Sequence, residues 1–348
     1  MTKKKITIND VAEAAGVSKA TVSRYLNGRT DLMTEKTRDR IAHVIDLLNY
    51  HPSELARSLK SKKTRTIGVI LTDIRSPFYS AVLSGIDEKL SEYGYSAIYV
   101  NSSDDPEKEL ANLQNLLSKD VDGILINTVS YRNEALISET ANRIPMVLID
   151  REIENHSFSV VRIDNKKMVS LLFDHLEEEG FNRFAFFTGP WKNISTRIAR
   201  REGFLEEVEK RFRYDATADV FSIGDDYTSY EEGLNTFLST LKKGDIPCVI
   251  GSNSVSTFSA YHAIALKKLR VPEDIGIAGP EDWAWADDMS WPDVMGTPVT
   301  TMIFDSKEIG RKSAELMIEK IDDPNCKNRE VFIPVNLFVR ESTRRKGE

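Results

Sequence analysis

A short basic stretch near the N-terminus has the side chains needed to read a DNA duplex. Lys19, Ala20 and Arg24 are spaced to point away from the core near the start of one helix, with Val22 and Leu26 pointing inward. An Arg so placed donates two parallel bonds to guanine O6 and N7, and a small Ala meets a thymine methyl. Ser18, Thr21, Ser23, Asn27 and Arg29 are short polar or basic groups suited to phosphates, and Thr7 joins them. Phosphate contacts position a protein but carry no sequence information. Spacing alone leaves a second reading open, in which Lys19 and Arg24 only keep the surface soluble.

Those side chains need a scaffold, and three short helices are expected to provide it. Thr7 stands three residues before Asp10, a capping-box start, and Ile8, Val11, Ala12 and Ala15 then recur at helical spacing. Gly16 has the backbone freedom for a tight turn. Ser18 caps a second helix that ends at Leu26, and a third helix from Thr34 to Leu48 carries Ile41, Val44, Ile45 and Leu48. Ala14 and Val17 are expected to join Val22 and Leu26 in the small core. Two helices joined by a glycine turn make a helix-turn-helix, whose second helix enters the major groove.

Charge supports that reading once it is divided. The 348 residues carry a net charge of −7, which taken whole argues against nucleic acid. Residues 1–65 alone carry 14 Lys+Arg against 7 Asp+Glu, a net of +7 that leaves −14 on the rest. The length suits two or three domains. Two cysteines, Cys248 and Cys326, are too few for a disulfide framework and lack metal-ligand spacing. No signal peptide and no apolar run near the ~20 residues of a membrane span is present, so the expected location is cytoplasmic.

The acidic body alternates strand and helix signals. Thr66–Leu71 is a β-branched run, followed by a helix from Pro77 to about Tyr93 and a strand at Ser96–Val100. Further strands are expected at 123–128, 146–150, 160–163, 184–188, 249–251 and 275–278. This α/β pattern predicts doubly wound sheets, and about 280 residues is too long for one, so two lobes are expected. Ligands of such sheets sit outside the carboxyl ends of the strands. Enzyme motifs fail: no dinucleotide fingerprint, P-loop, HExxH or GxSxG occurs, and the five histidines are scattered.

The stretch Thr7–Asn27, with Leu48-Asn49-Tyr50-His51-Pro52, closely resembles the N-terminal signature of the LacI/GalR family of bacterial transcriptional repressors. Leu55-Ala56-Arg57-Ser58-Leu59-Lys60 is similar to that family's hinge helix. The resemblance implies that Leu59 is a minor-groove wedge flanked by Ala56 and Lys60, unstacking a base step at a cost of a few kcal/mol. It extends over nearly the whole chain and implies a two-lobed, periplasmic-binding-protein-like sensor behind the all-α helix-turn-helix domain. The expected division is a DNA-binding domain over 1–52, a hinge and linker over 53–65, and a sensor over 66–348. Within the sensor, the first lobe is expected at 66–162 plus 294–326 and the second at 163–293 plus 327–343.

Carried over by position, the effector would meet Phe78, Tyr79, Arg151, Arg200, Tyr227 and Asn253. Two departures stand out. The family's Asn-Asp pair is Asn253-Ser254 here, and its Gly-aromatic-Asp-Asp motif is Gly279-Pro280-Glu281-Asp282, which puts Glu281 in the ligand-binding carboxylate's place, or Asp282 if the proline shifts the loop. Trp283, Trp285 and Trp291 follow within nine residues. They fit stacking on a carbohydrate, and equally fit packing of the lobes or a dimer face. This Trp-rich form is similar to regulators answering to sugar acids such as ketodeoxygluconate, whose carboxylate Arg151, Arg200 and Lys192 would hold.

The expected function is therefore a homodimeric regulator of near-palindromic operator DNA, switched by a sugar or sugar acid, with no cofactor and no metal. A sugar-binding transport protein shares the fold but needs export, and an enzyme on a doubly wound fold is the other rival.

Overall fold

The computed structural model describes residues 6–345, apart from Asn27, Leu32, residues 51–62, Ala141, Asn142, His156, Ser157, Asp225, Asp226, Asp282, Asp287 and Asp288. The expected hinge residues Ala56, Leu59 and Lys60 thus lie outside the described residues. Contacts divide the chain after Arg65.

The first unit consists of α1 (Ile8–Ala14), α2 (Lys19–Leu26) and α3 (Glu35–Leu48). Thr7 and Asp10 form the capping box at α1, each side chain accepting from the other's backbone N–H. Gly16 adopts φ +60°, which lets the chain turn into α2. Val11, Ala15, Val22 and Ile41 close the core, and Thr34 caps α3. Ala14 is exposed, contrary to expectation, and Ala15 takes the inward position. On α1 position 14 lies about 200° around the helix from the buried Ala12, and so faces outward.

The second unit holds two six-stranded sheets. The first runs in the order β13-β5-β4-β3-β1-β2 and the second β14-β12-β9-β8-β6-β7. The first sheet is built from β1 (Thr66–Leu71), β2 (Ser96–Asn101), β3 (Gly123–Ile126), β4 (Met146–Ile149), β5 (Ser159–Ile163) and β13 (Glu330–Ile333). Its strands are all parallel. The helices α4 (Pro77–Glu92), α5 (Pro106–Leu117) and α6 (Glu134–Thr140) are its crossovers. The second sheet contains β6 (Arg183–Thr188), β7 (Val220–Ser222), β8 (Pro247–Gly251), β9 (Gly276–Pro280), β12 (Thr300–Phe304) and β14 (Val335–Phe338), with only β14 antiparallel. Its helices are α7 (Asn165–Glu178), α8 (Ser195–Phe212), α9 (Tyr227–Thr240) and α10 (Ser254–Leu266). A hairpin, β10 (Ala284–Ala286) and β11 (Met289–Ser290), follows β9, and α11 (Ser306–Asp322) follows β12.

The chain crosses between sheets three times, after Ile163, Phe304 and Ile333. The lobe boundaries expected from sequence therefore need correction. Residues 300–304 belong to the second sheet, not the first lobe, and residues 330–333 belong to the first sheet, not the second lobe. Both strands sit at or near an edge of the sheet they join, where pairing rather than sequence position decides membership. One cluster of buried side chains spans the crossings, from Val69 and Val147 through Phe173 to Phe184 and Ile250. Each fully buried Phe of that cluster contributes about 1.5–3 kcal/mol.

The C-terminal segment is a clasp. Ser342 Oγ donates to Ile277 O at 2.6 Å and accepts from Thr300 N at 2.8 Å, which ties the chain end to β9 and β12. Arg340 bonds Val299 O, Thr301 Oγ1 and Asp293. The terminal Arg-Glu-Ser-Thr run thus serves the fold.

Candidate DNA-reading surface and ligand cleft

On α2 the side chains of Lys19, Ala20 and Arg24 are exposed while Val22 is fully buried. Ser18 and Arg29 are exposed too, and Thr21 and Ser23 are partly so. Ser18 Oγ accepts from Thr21 N at 3.1 Å and lies 2.9 Å from Thr21 Oγ1, which fixes the start of the helix. Thr7 departs from expectation. Its amide and its hydroxyl both donate to Asp10 Oδ2, at 2.7 and 2.6 Å, so its donors are used in capping α1 rather than held out for a phosphate. Asn27 lies outside the described residues.

In the second unit, segments past the carboxyl ends of strands of the two sheets meet, with Arg132 N donating to Asn193 Oδ1 and Glu152 N to Ser195 Oγ, the place where ligands of such sheets sit. Asn127, just past β3, donates to Ile149 O at 2.8 Å, and its Oδ1 accepts from Tyr79 Oη at 2.7 Å and Thr72 Oγ1 at 3.1 Å. Tyr79 is thereby turned inward, and burial pushes its phenol up to about 12. Phe78 is also buried, edge-on to Tyr79 and to Phe304 of the other sheet. Both were expected to border the effector. Both are buried on the first turn of α4, and the Tyr79 hydroxyl is bonded at the strand ends.

Arginines dominate what remains. Arg151 is buried, with Nη1 donating to Thr128 O at 3.0 Å and lying 3.8 Å from Asp104. Arg200 is 5% exposed; its Nε donates to Asn165 Oδ1 at 2.7 Å and its Nη1 to Ser252 O at 2.6 Å. Asn165 starts α7 at the first crossing, so Arg200 joins the hinge to the end of β8. Asp150 is buried between them with φ +61°. Burial raises its carboxyl above the usual range, while Arg200, Arg151 and Arg162 pull the other way.

Glu281 faces Arg200 at 3.7 Å and accepts from Ser254 Oγ at 2.7 Å and Ser254 N at 3.3 Å. Asn253 is spent on a cap: its Oδ1 accepts from Ser256 N at 2.8 Å at the start of α10. Trp291 is fully buried in the second lobe and its Nε1 donates to Glu281 O at 2.8 Å. Trp283 packs against that core, its ring 6.3 Å from that of Trp291. These two tryptophans therefore hold the loop that carries Glu281. Tyr227 begins α9, and its side chain lies outside the described residues, as does that of Trp285. Lys192 is exposed and lines a cavity of about 580 Å³ with Tyr131, Glu154, Arg162 and Phe332; none of Arg151, Arg197 and Arg200 lines it.

Sequence reasoning missed Asn127, Asp150, Asn165 and Arg197. The i, i+3 spacing of Arg197 and Arg200 on one helix was the visible signal for the last.

A helix-turn-helix unit ahead of a two-lobed ligand-binding fold is the build of a ligand-responsive transcriptional regulator. Residues 7–53 match the bacterial regulatory proteins of the lacI family, and residues 64–341 match the periplasmic binding proteins and sugar binding domain of the LacI family. The chain belongs to the LacI family. It is 33% identical to the HTH-type transcriptional regulator PtxS of Pseudomonas aeruginosa over 99% of this chain and 97% of that protein. It is 31% identical to the HTH-type transcriptional regulator KdgR of Bacillus subtilis over 97% of each chain. The fold matches the lac repressor dimer bound to operator and the anti-inducer ONPF, with a TM-score of 0.83 at 24% identity over 98% of this chain and 99% of that one. The protein is a DNA-binding regulator and not an enzyme, and among the described residues no helix is long and apolar enough to cross a membrane.

Proposed function

We infer that this regulator binds near-palindromic operator DNA in the cytoplasm as a homodimer and loses or gains operator affinity when a sugar acid enters the cleft. Lys19, Ala20 and Arg24 read base edges. Ser18, Thr21, Ser23, Asn27 and Arg29 hold phosphates, and Ala56, Leu59 and Lys60 work in the minor groove. The exposure of Lys19, Ala20 and Arg24 on a helix anchored by the buried Val22 supports that assignment. For the dimer, α10 offers Val255 and Phe258, large apolar side chains left exposed at 54% and 43%.

The effector assignment is carried by one observation: the guanidinium groups of Arg151 and Arg200 stand at strand ends from opposite sheets. A guanidinium fork matches a carboxylate bidentately, which a neutral hydroxyl does not. Glu281 accepts sugar hydroxyls, on a loop held by Trp283 and Trp291, and the family resemblance assigns Asn253 and Tyr227 to the same site. A thermal-shift screen of sugars and sugar acids tests this reading. Stabilisation by a sugar acid that Arg200→Ala abolishes is expected; stabilisation by purines alone would contradict it.

A further inference from the structure

Arg197 stands on the first turn of α8, and its guanidinium has one hydrogen bond among the described residues, Nη1 to Pro190 O at 2.7 Å. Pro190 follows the end of β6. Nη1 comes within 3.0 Å of where a Cβ on Gly189 would stand, so the bare glycine leaves it room. Arg151 is fixed on the facing sheet by Thr128 O and Asp104. The two segments touch directly. Glu152 N donates to Ser195 Oγ at 3.0 Å, joining the residue after Arg151 to the one two positions before Arg197. Nearby, Tyr131 N donates to Asn193 O at 2.8 Å. Burial, with the charges of Arg151 and Arg200, holds the Arg197 guanidinium below its ordinary value, with Asp104 and Tyr79 acting the other way. Asp104 is half exposed, so its offset is screened.

Two permanent cations brought together from opposite lobes oppose closure of an empty cleft. We propose that Arg151 and Arg197 form an anion-sensing pair that grips one carboxylate of the ligand from both lobes, so that ligand charge, rather than sugar shape alone, drives the lobes together. The inference rests on the sugar-acid reading above and adds to it a residue and a cause of closure. A ligand switches a two-state protein only through differential affinity for the two arrangements. Here the difference is the repulsion that the ligand's charge removes. A sugar phosphate presents the same chemistry to a guanidinium fork, so the test has an arm for it.

Calorimetric titration of the full-length native protein would use ketodeoxygluconate, gluconate, glucuronate, glucose and glucose 6-phosphate, repeated with Arg151→Gln, Arg197→Gln, Arg197→Lys and the double Gln variant. The native protein is expected to bind at least one of the acids and to bind it more tightly than glucose or glucose 6-phosphate. Each single Gln variant should lose about 10–100-fold in affinity for that acid, as for a charge-assisted bond. The double variant should lose less than the product of the two, because both arginines serve one carboxylate. Arg197→Lys should recover part of the loss, which a merely structural role at Pro190 would not give. Unchanged acid affinity in Arg197→Gln, or multiplicative losses, would overturn the pair and leave the sugar-acid reading standing. Preference for the phosphate would overturn the carboxylate assignment, and no binding of any acid would overturn both.

Discussion

Ser254 Oγ donates to Glu281 Oε2 at 2.7 Å, so the two positions at which this chain departs from its family's pattern are bonded to each other. The serine replaces a carboxylate and the glutamate, one methylene longer than aspartate, reaches across to it. A carboxylate at 254 would face Glu281 at the same contact. Ser254→Asp is expected to destabilise the protein by about 1–3 kcal/mol, and Ser254→Asp with Glu281→Gln to recover most of it. Thermal denaturation of the single and double variants checks the cycle; additive losses would contradict the pairing.

Arg24 carries the clearest prediction about base reading. Arg24→Ala should lose about 1–3 kcal/mol on operator DNA and relax preference at one base, whereas Arg29→Ala should weaken operator and random DNA alike. Competition binding with a randomised site library separates the two effects.

Helix caps and the reading helix were legible in the sequence because they depend on residues three or four apart, as Thr7 with Asp10 and Ser18 with Thr21 do. The parallel strands were legible for a similar reason, since buried runs such as Thr66–Leu71 are continuous. Lobe membership was not, because β12 and β13 are assigned by partners far along the chain. Nor could spacing say that Tyr79 would be taken up by Thr72 and Asn127, or that Trp291 would be core. Those outcomes depend on competition among distant side chains for buried partners.

Close helix packing in the first lobe depends on two glycines. A Cβ on Gly310 would stand 2.0 Å from Val82 O, and one on Gly85 2.0 Å from Lys307 O. Both contacts are with backbone, which cannot swing aside. Gly310→Ala and Gly85→Ala are each expected to cost about 1–3 kcal/mol or more in denaturant unfolding.

Acid should loosen the C-terminal clasp. His175 Nε2 lies 2.7 Å from Thr343 Oγ1, and burial holds the imidazole below its ordinary 6.5, with Glu179 and Glu178 working the other way and Arg344 adding to the lowering. The unfolded chain therefore takes up the proton at a higher pH than the folded one. This contribution to stability is full above about 6.5 and falls as the pH drops below that value. The decline between pH 7.5 and 5.5 should be smaller in His175→Gln when both are followed by chemical denaturation.

The exposed apolar face of α10 predicts the assembly. Val255→Glu should shift the protein toward monomer in analytical ultracentrifugation and weaken operator binding with it, since half-sites are read by paired modules.

The central claim is that one chain joins a DNA reader to an anion-gated cleft. Fluorescence anisotropy on DNA from candidate upstream regions, over a salt series and with and without each of a panel of sugar acids including ketodeoxygluconate, tests it most directly. Tight binding that weakens steeply with salt and shifts severalfold with at least one acid is expected, with the shift absent in Arg200→Ala. No binding to any upstream region at low salt, or binding that no sugar acid alters, would contradict it.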